Sequence, residues 1–360
     1  MDLLLSSYNL KNRNGKRIIG NDYIIRKRER LLHICLNSPG CRFRKSGSCA
    51  MCDYGEGKKI SIKSIDKILP YIENEQENVD SILIGTLGSI FDEEEVSKEC
   101  LNKLFAFLQK MKINTIILES HYTTINEEIC KWLVSSLRGK DIVIEIGLES
   151  TNKMVQEKCL NKNINLELLK EKINLVHRYQ FSITANVFLG APFLNVNEQI
   201  NDTEESIQWA ILNNVDSVTI FPANIRKNTL LYYLYENGKY QPIQHWMILE
   251  LLKRIPKNYL SRIFLSWFGD WIEVDDRNQQ NNIPPTCCEK CEDKWKEFYH
   301  YFQISDTSIE RNNIIMKYEN ILENKCQCKN KFDLSVKENS NSNKKSSIQI
   351  GRRWLSEKIK

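Results

Sequence analysis

The sequence contains no apolar run approaching the roughly 18 residues that a membrane span needs, so no membrane role is expected. Its opening, MDLLLSSYNL, is apolar but short, and it lacks the basic flank and cleavage site of a secretory leader. No internal repeat is present beyond an alternation of apolar runs and amphipathic segments. Charge is not strongly one-sided either: a net +5 over 360 residues permits an anionic partner such as RNA without demanding one. These absences describe a cytoplasmic globular protein, in which a disulfide framework is not expected. Yet twelve cysteines are there, and they are grouped.

Four of them lie between positions 35 and 52 and five between 287 and 328. Cys100, Cys130 and Cys159 stand singly in helical patterns, where a thiol serves as a small buried hydrophobe. The stretch GCRFRKSGSCAMCDYG puts Cys41, Cys49 and Cys52 on one short loop. Three thiolates can hold three irons of a four-iron, four-sulfur cluster and leave the fourth open to a small chelating molecule. Zinc competes, because Cys35, Cys41, Cys49 and Cys52 add up to a four-thiolate set; against it, Cys35 falls inside an apolar strand pattern and no second tight cysteine pair is nearby. Unliganded thiols are the third reading.

Short apolar runs at LLHICL (31–36), SILIG (81–85), TIILES (115–120), IVIEIGLE (142–149), ITANVFLG (183–190) and DSVTIFP (216–222) predict six strands. Helical patterns alternate with them, as in VSKECLNKLFAFLQKM and LELLKEKINLVHRY, the first preceded by FDEEE, whose acids suit a helix N-terminus. Strand then helix, repeated, predicts an α/β protein with a parallel sheet, a partial (β/α)6 barrel, followed by a C-terminal helical, cysteine-containing extension. Chemistry on barrels sits at the C-terminal ends of the strands, and the cysteine loop follows the first of them. The expected organisation is a basic segment over 1–30, the barrel over 31–225, the extension over 226–332 and a polar, mobile tail over 333–360.

The C-x7-C-x2-C loop ending in CAMCDYG resembles the radical S-adenosylmethionine superfamily, within it the branch of Elp3-type and archaeosine-forming enzymes. Other stretches extend the resemblance over most of the chain: GTLGSIFDEEEV (85–96), ILESHYTTINEE, IEIGLES with CLNKNIN, and APFLNVNEQINDTEESIQWA. It implies a [4Fe-4S] cluster on Cys41, Cys49 and Cys52, with S-adenosylmethionine bound to the open iron and cleaved to a 5′-deoxyadenosyl radical. It also implies that the turn at Gly85 and Gly88 lets the backbone approach the cofactor's amino group, and that Glu119 and Glu149, each at a strand end, bind cofactor or substrate and serve catalysis. His121 stands where many relatives carry arginine, Phe221 where a more polar residue is expected, and Ala191 where a proline is.

In the second cysteine group, CCEKC offers Cys288 and Cys291, and CQC offers Cys326 and Cys328. A structural zinc, an auxiliary iron–sulfur cluster and uncoordinated thiols all remain open there. The resemblance implies a substrate too: a lysine-modified 7-deazaguanine base in tRNA, converted to archaeosine by radical C–N cleavage. A partner enzyme supplying the modified base and a reductant protein would then be needed. The basic segments 11–30 and 42–45, with Trp246, Trp267 and Trp271, offer phosphate and base contacts, although such aromatics more often pack in a core. A radical enzyme acting on another nucleotide or small metabolite, and a non-catalytic zinc-binding module, are the two alternatives.

Overall fold

A computed structural model describes residues 17–20, 22–28, 30–42, 49–52, 57–266, 282–337, 348–349 and 351. The chain enters through an antiparallel pair, β1 (Arg17–Ile19) and β2 (Tyr23–Arg28), and β2 pairs antiparallel with β3 (Leu31–Leu36). From β3 onward the strands run parallel and each is laid beside the one before it: β4 (Ser81–Gly85), β5 (Thr115–Ser120), β6 (Asp141–Glu149), β7 (Ser182–Leu189) and β8 (Ser217–Pro222). These six match the six apolar runs to within a residue at each end. Parallel neighbours need crossovers, supplied by α1 (Ile62–Glu75), α2 (Lys98–Leu108), α3 (Glu127–Ser136), α4 (Leu166–Arg178) and α5 (Val196–Leu212). Side chains of Ser61, Ser97, Asn126, Asn165 and Asn195 cap their N-termini, each accepting a backbone N–H.

Alternation along the strands sorts the side chains. Leu32, Ile34, Ile82, Ile84, Ile116 and Leu118 join the main core beneath the helices. Their neighbours Leu31, Leu83, Ile117 and Val143 face the other way and form a small apolar floor inside the half-barrel. Each such buried aliphatic contributes about 1.5–3 kcal/mol. Two residues further along β5 and β6, above the floor, the inward positions become Glu119 and Glu145, which sit side by side in the sheet register.

The remainder departs from the expected boundaries. Beyond β9 (Ile225–Arg226), α6 (Leu230–Glu236) and α7 (His245–Arg254), the short strand β10 (Ile263–Leu265) pairs parallel with β8 and completes a nine-stranded sheet. The sheet therefore takes one strand from the stretch expected as an extension and two from the stretch expected as a basic segment. β11 (Asn282–Ile283) pairs with β9, and α8 (Glu292–Ile304), α9 (Ser308–Lys325) and α10 (Cys328–Lys337) follow. α10 runs five residues past the expected start of the tail, and residues 348, 349 and 351 are helical again; residues 338–347, 350 and 352–360 lie outside the described residues. Arg311 of α9, fully buried, fastens this helical part to the sheet: its guanidinium donates to the carbonyls of Leu260, Ile263 and Ser305 and lies over the rings of Phe264 and Phe302.

Candidate active site at the mouth of the half-barrel

Beyond β3 the chain turns at Gly40, whose φ of 79° is a left-handed value that favours glycine, and delivers Cys41 to the C-terminal end of the sheet. The loop returns at Cys49–Cys52, where two backbone bonds hold it down: Ala50 N–H donates to the Leu160 carbonyl at 2.9 Å, and Leu231 N–H donates to the Ala50 carbonyl at 3.2 Å. Cys41, Cys49 and Cys52 thereby share one wall of a cavity of about 260 Å³. Gly88, Glu119, Glu149, Lys162, Asn186 and Arg226 are among the residues on its other walls. Of the residues expected to hold the cluster or the cofactor, Cys41, Cys49, Cys52, Gly88, Glu119 and Glu149 line the cavity and Gly85 does not.

The glycines have a local reason. A Cβ on Gly85 would fall 2.1 Å from Glu119 Oε2, so the absence of a side chain makes room for that carboxyl. A Cβ on Gly88 would fall 2.2 Å from Glu95 Oε1 and 2.5 Å from the Cys41 nitrogen. The turn after β4 is thus pressed directly against the start of the cysteine loop. Glu95 cements the junction: it is fully buried, accepts from Ser38 Oγ at 2.5 Å and from Ser89 N–H at 2.8 Å, and burial raises its pKa. Ser38 Oγ in turn accepts from Leu87 N–H at 3.1 Å. Within FDEEE, then, Glu95 serves the site, and the helix N-terminus is capped instead by Ser97.

Glu119 is pushed up to about 8 by burial and by the neighbouring carboxylates Glu145, Glu95 and Glu149, so it carries a proton at neutral pH in the bare chain. Glu145 is also raised by burial, and Asn186 Nδ2 donates to it at 2.9 Å. The Oδ1 of Asn186 has no partner, although the residue is 8% exposed. A buried acceptor facing a cavity is costly to leave unpaired, which marks that wall for a ligand's donor.

Lys162 is the site residue that motif reading missed. It follows a single π-helical turn (Val155–Leu160) and Asn161, whose φ of 51° is left-handed. That reversal carries the ammonium to Glu149 Oε1 at 2.9 Å and to the Gly147 carbonyl at 3.3 Å. Burial opposes the charge, but Glu149, Cys49 and Cys41 outweigh it and the pKa of Lys162 is raised. Glu149 itself sits at a register shift of β6 with φ 59°, a strained backbone for a residue with a Cβ. The same ammonium, after burial, pushes His121 down to about 4, so the histidine in the arginine position is neutral and Lys162 supplies a cation.

Burial pushes the Cys49 thiol up to about 12, with Lys162 pulling the other way. A buried thiol of that kind is a poor nucleophile and becomes a thiolate only with compensation from a metal. The three cysteines on one wall, the nearby cation to offset a negatively charged thiolate cluster, and the unpaired acceptor opposite are a donor set that fits an iron–sulfur cluster with a small-molecule ligand. Cys35, the fourth member of the zinc alternative, is not on this cavity, and among the described residues the N-terminal cysteines do not gather as a single-ion group.

Two of the expected nucleic-acid contacts are occupied otherwise. Arg42 makes a two-pronged pair with Asp92, at 2.6 and 2.5 Å, and Trp246 is 2% exposed. Residues 43–45, 11–16, Trp267 and Trp271 lie outside the described residues. Cys100, Cys130 and Cys159 are buried as small hydrophobes. Far from the cavity in sequence, Cys288, Cys291, Cys326 and Cys328 come together, with all four sulfurs within 4.8 Å of one another. No disulfide joins any of the twelve cysteines, all of which are among the described residues.

No protein-family model matches the chain. Archaeosine synthase subunit beta of Methanosarcina acetivorans is 24% identical to it over 65% of this chain and 69% of the relative. The protein of the same name from Thermococcus kodakarensis is 26% identical over 74% of this chain and 90% of the relative. Among solved structures, queuine lyase from Clostridium spiroforme bound to SAM and queuine covers 58% of this chain and 79% of that chain, with 21% identity and a TM-score of 0.40. The cysteine loop at the mouth of a partial barrel and the two archaeosine synthase relatives support assigning this chain to the radical S-adenosylmethionine proteins, in a group related to archaeosine synthase subunit beta.

Proposed function

We propose that Cys41, Cys49 and Cys52 hold a [4Fe-4S] cluster that binds S-adenosylmethionine, and that the enzyme acts on a lysine-modified 7-deazaguanine base in tRNA. The product would be archaeosine or a related base, formed by radical C–N cleavage. The observation that carries this reading is the convergence of three cysteines, reached from one loop, on a cavity whose facing walls hold Glu119, Glu149, Lys162 and Asn186. The names of the two relatives support archaeosine as the product, and the word subunit in them supports a partner protein. A reductant protein completes the set of partners.

Held by Cys41, Cys49 and Cys52, such a cluster would supply the electron for reductive cleavage of S-adenosylmethionine. The chain's own residues do the rest. Lys162 offsets the negative charge of the thiolates and is held in place by Glu149. Asn186 offers an acceptor to a ligand N–H or O–H. Glu119, protonated in the bare chain, is ready to donate a hydrogen bond to a ribose oxygen or a substrate carbonyl, and becomes an acceptor when a cation lies beside it. The apolar floor of Leu31, Leu83, Ile117 and Val143 keeps water from entering beneath the site.

The test is anaerobic reconstitution followed by reduction with S-adenosylmethionine present. Wild type is expected to form 5′-deoxyadenosine and a Cys49→Ala variant to form none. A wild-type protein that binds iron but never cleaves the cofactor, with candidate substrates added, would end the enzyme reading. Mass analysis of tRNA nucleosides from cells with and without the gene assigns the base. The pairing of Arg42 with Asp92 and the burial of Trp246 favour, as a second reading, a radical enzyme that acts on another nucleotide or a small metabolite. In that case tRNA would show no affinity for the chain.

A further inference from the structure

We infer that Cys288, Cys291, Cys326 and Cys328 bind a single tetrahedral zinc ion, not an auxiliary iron–sulfur cluster, and that the ion clamps the C-terminal helices against the side of the half-barrel. The spacing decides between a single ion and a cluster, and zinc is the usual single ion of a four-cysteine structural site. Cys326 Sγ lies 3.2 Å from Cys288 Sγ, 3.2 Å from Cys291 Sγ and 2.9 Å from Cys328 Sγ, and Cys291 Sγ lies 3.8 Å from Cys328 Sγ. Four Zn–S bonds of about 2.3 Å place their sulfurs about 3.8 Å apart, close to this gathering. In a cluster each thiolate binds through an iron shared with none or one of the others, so the spacing between irons adds to the spacing between thiolates. Sulfurs all within 4.8 Å of one another leave no room for that.

The surroundings are those of a thiolate site. Cys291 N–H donates to the Cys288 carbonyl at 2.9 Å, closing the C-x2-C turn. Cys328 N–H donates to Cys326 Sγ at 3.3 Å, and the indole N–H of the buried Trp246 donates to Cys328 Sγ at 3.1 Å. Donors aimed at sulfur stabilise the charged form and orient the ligand. Lys329, stacked over the Trp246 ring at 5.6 Å, brings a positive charge to an assembly that zinc leaves with net charge −2.

The position gives the ion a mechanical role. Cys288 and Cys291 stand at the entrance to α8, Cys326 ends α9 and Cys328 begins α10, while Trp246 belongs to α7. The segment held by the first pair also carries β11, whose partner β9 contributes Arg226 to the reactive cavity. Losing the ion would therefore loosen a wall of that cavity as well as the helices.

The inference does not depend on the proposed function, and the two can fail separately. The full chain with Cys41, Cys49 and Cys52 all changed to alanine, purified without oxygen, is expected to contain one equivalent of zinc and no iron or sulfide. Stripped of zinc and titrated with cobalt(II), it is expected to take up one equivalent and to develop the intense visible absorption of tetrahedral cobalt thiolate. A Cys326→Ser change should cut zinc content several-fold; if that variant does not fold, the cobalt titration decides alone. Iron retained by the triple variant, with or without sulfide, would overturn the inference. So would four freely reacting thiols with no metal bound.

Discussion

The ammonium of Lys162 sits 2.9 Å from the carboxylate of Glu149, and the two side chains are 12% and 14% exposed. Their residues are joined by a π-helical turn and a left-handed asparagine, so the pair fixes the end of β6 to the loop that covers it. Taking one partner from a buried pair strands the other charge at a cost of about 3–5 kcal/mol. Lys162→Met is expected to lose stability on that scale and to form little 5′-deoxyadenosine. Glu149→Gln combined with Lys162→Met should regain much of the stability and none of the activity. Thermal unfolding with a cofactor-cleavage assay checks this; a double variant as active as wild type would remove the pair from the site's chemistry.

Stability should depend on pH through Glu119. The ordinary carboxyl value is 4.5 and the folded one about 8. Between them the folded chain keeps a proton that the unfolded chain has released, so stability falls as pH rises from about 4.5 to about 8 and levels off above. Asp202, raised to about 6 by burial, contributes to the lower part of the same window. The unfolding midpoint of the metal-free chain is expected to fall most steeply between about 4.5 and 6, where both groups act, and Glu119→Gln to flatten the remaining fall between about 6 and 8. An unchanged slope in the variant would assign the effect elsewhere.

Gly85→Ala places a methyl where Glu119 Oε2 now lies. Overpacking of this kind costs about 1–3 kcal/mol, and here it also displaces the carboxyl. The expected result is a loss of stability together with roughly tenfold or greater loss of cofactor cleavage. In a Gly85→Ala, Glu119→Ala double variant the stability cost should largely vanish while activity stays low, a coupling that a double-mutant cycle reads directly.

Removing the Glu95 carboxyl leaves Ser38 Oγ and Ser89 N–H without their acceptor, at about 1–3 kcal/mol. Glu95→Ala should therefore unfold at lower temperature and, because Ser38 leads into Cys41, retain less iron after anaerobic reconstitution. Iron content equal to wild type would confine Glu95 to the stability of the turn.

The strands were legible because β3 to β8 are buried on both faces and so read as continuous apolar runs. β2 was not: in YIIRKR three apolar residues are followed by three basic ones, one strand in from the sheet edge, and the charge drew the reading to solvent and phosphate. β10, IFL, is too short for any period to show. In the site, the cysteines announced themselves by spacing, and Glu119 and Glu149 by ending apolar strands. Lys162 could not be found that way, because its place depends on a left-handed turn at Asn161, and an asparagine followed by lysine is common in this composition. Glu95 was visible but misassigned, since an acid ahead of a helix satisfies the helix dipole as readily as it satisfies a buried serine.

Because successive strands from β1 to β8 settle next to their predecessors, the sheet can grow in the order in which the ribosome releases the chain. The thiols at 41, 49 and 52 emerge early, yet Lys162, Asn186 and the Leu231 amide that pins Ala50 arrive far later. At the usual pace of translation that interval is roughly 10 s or more. During it the half-made protein offers three unsheltered sulfurs to oxygen and stray metals, so for the proposed cluster, insertion after release into a finished scaffold would be the safer order of assembly.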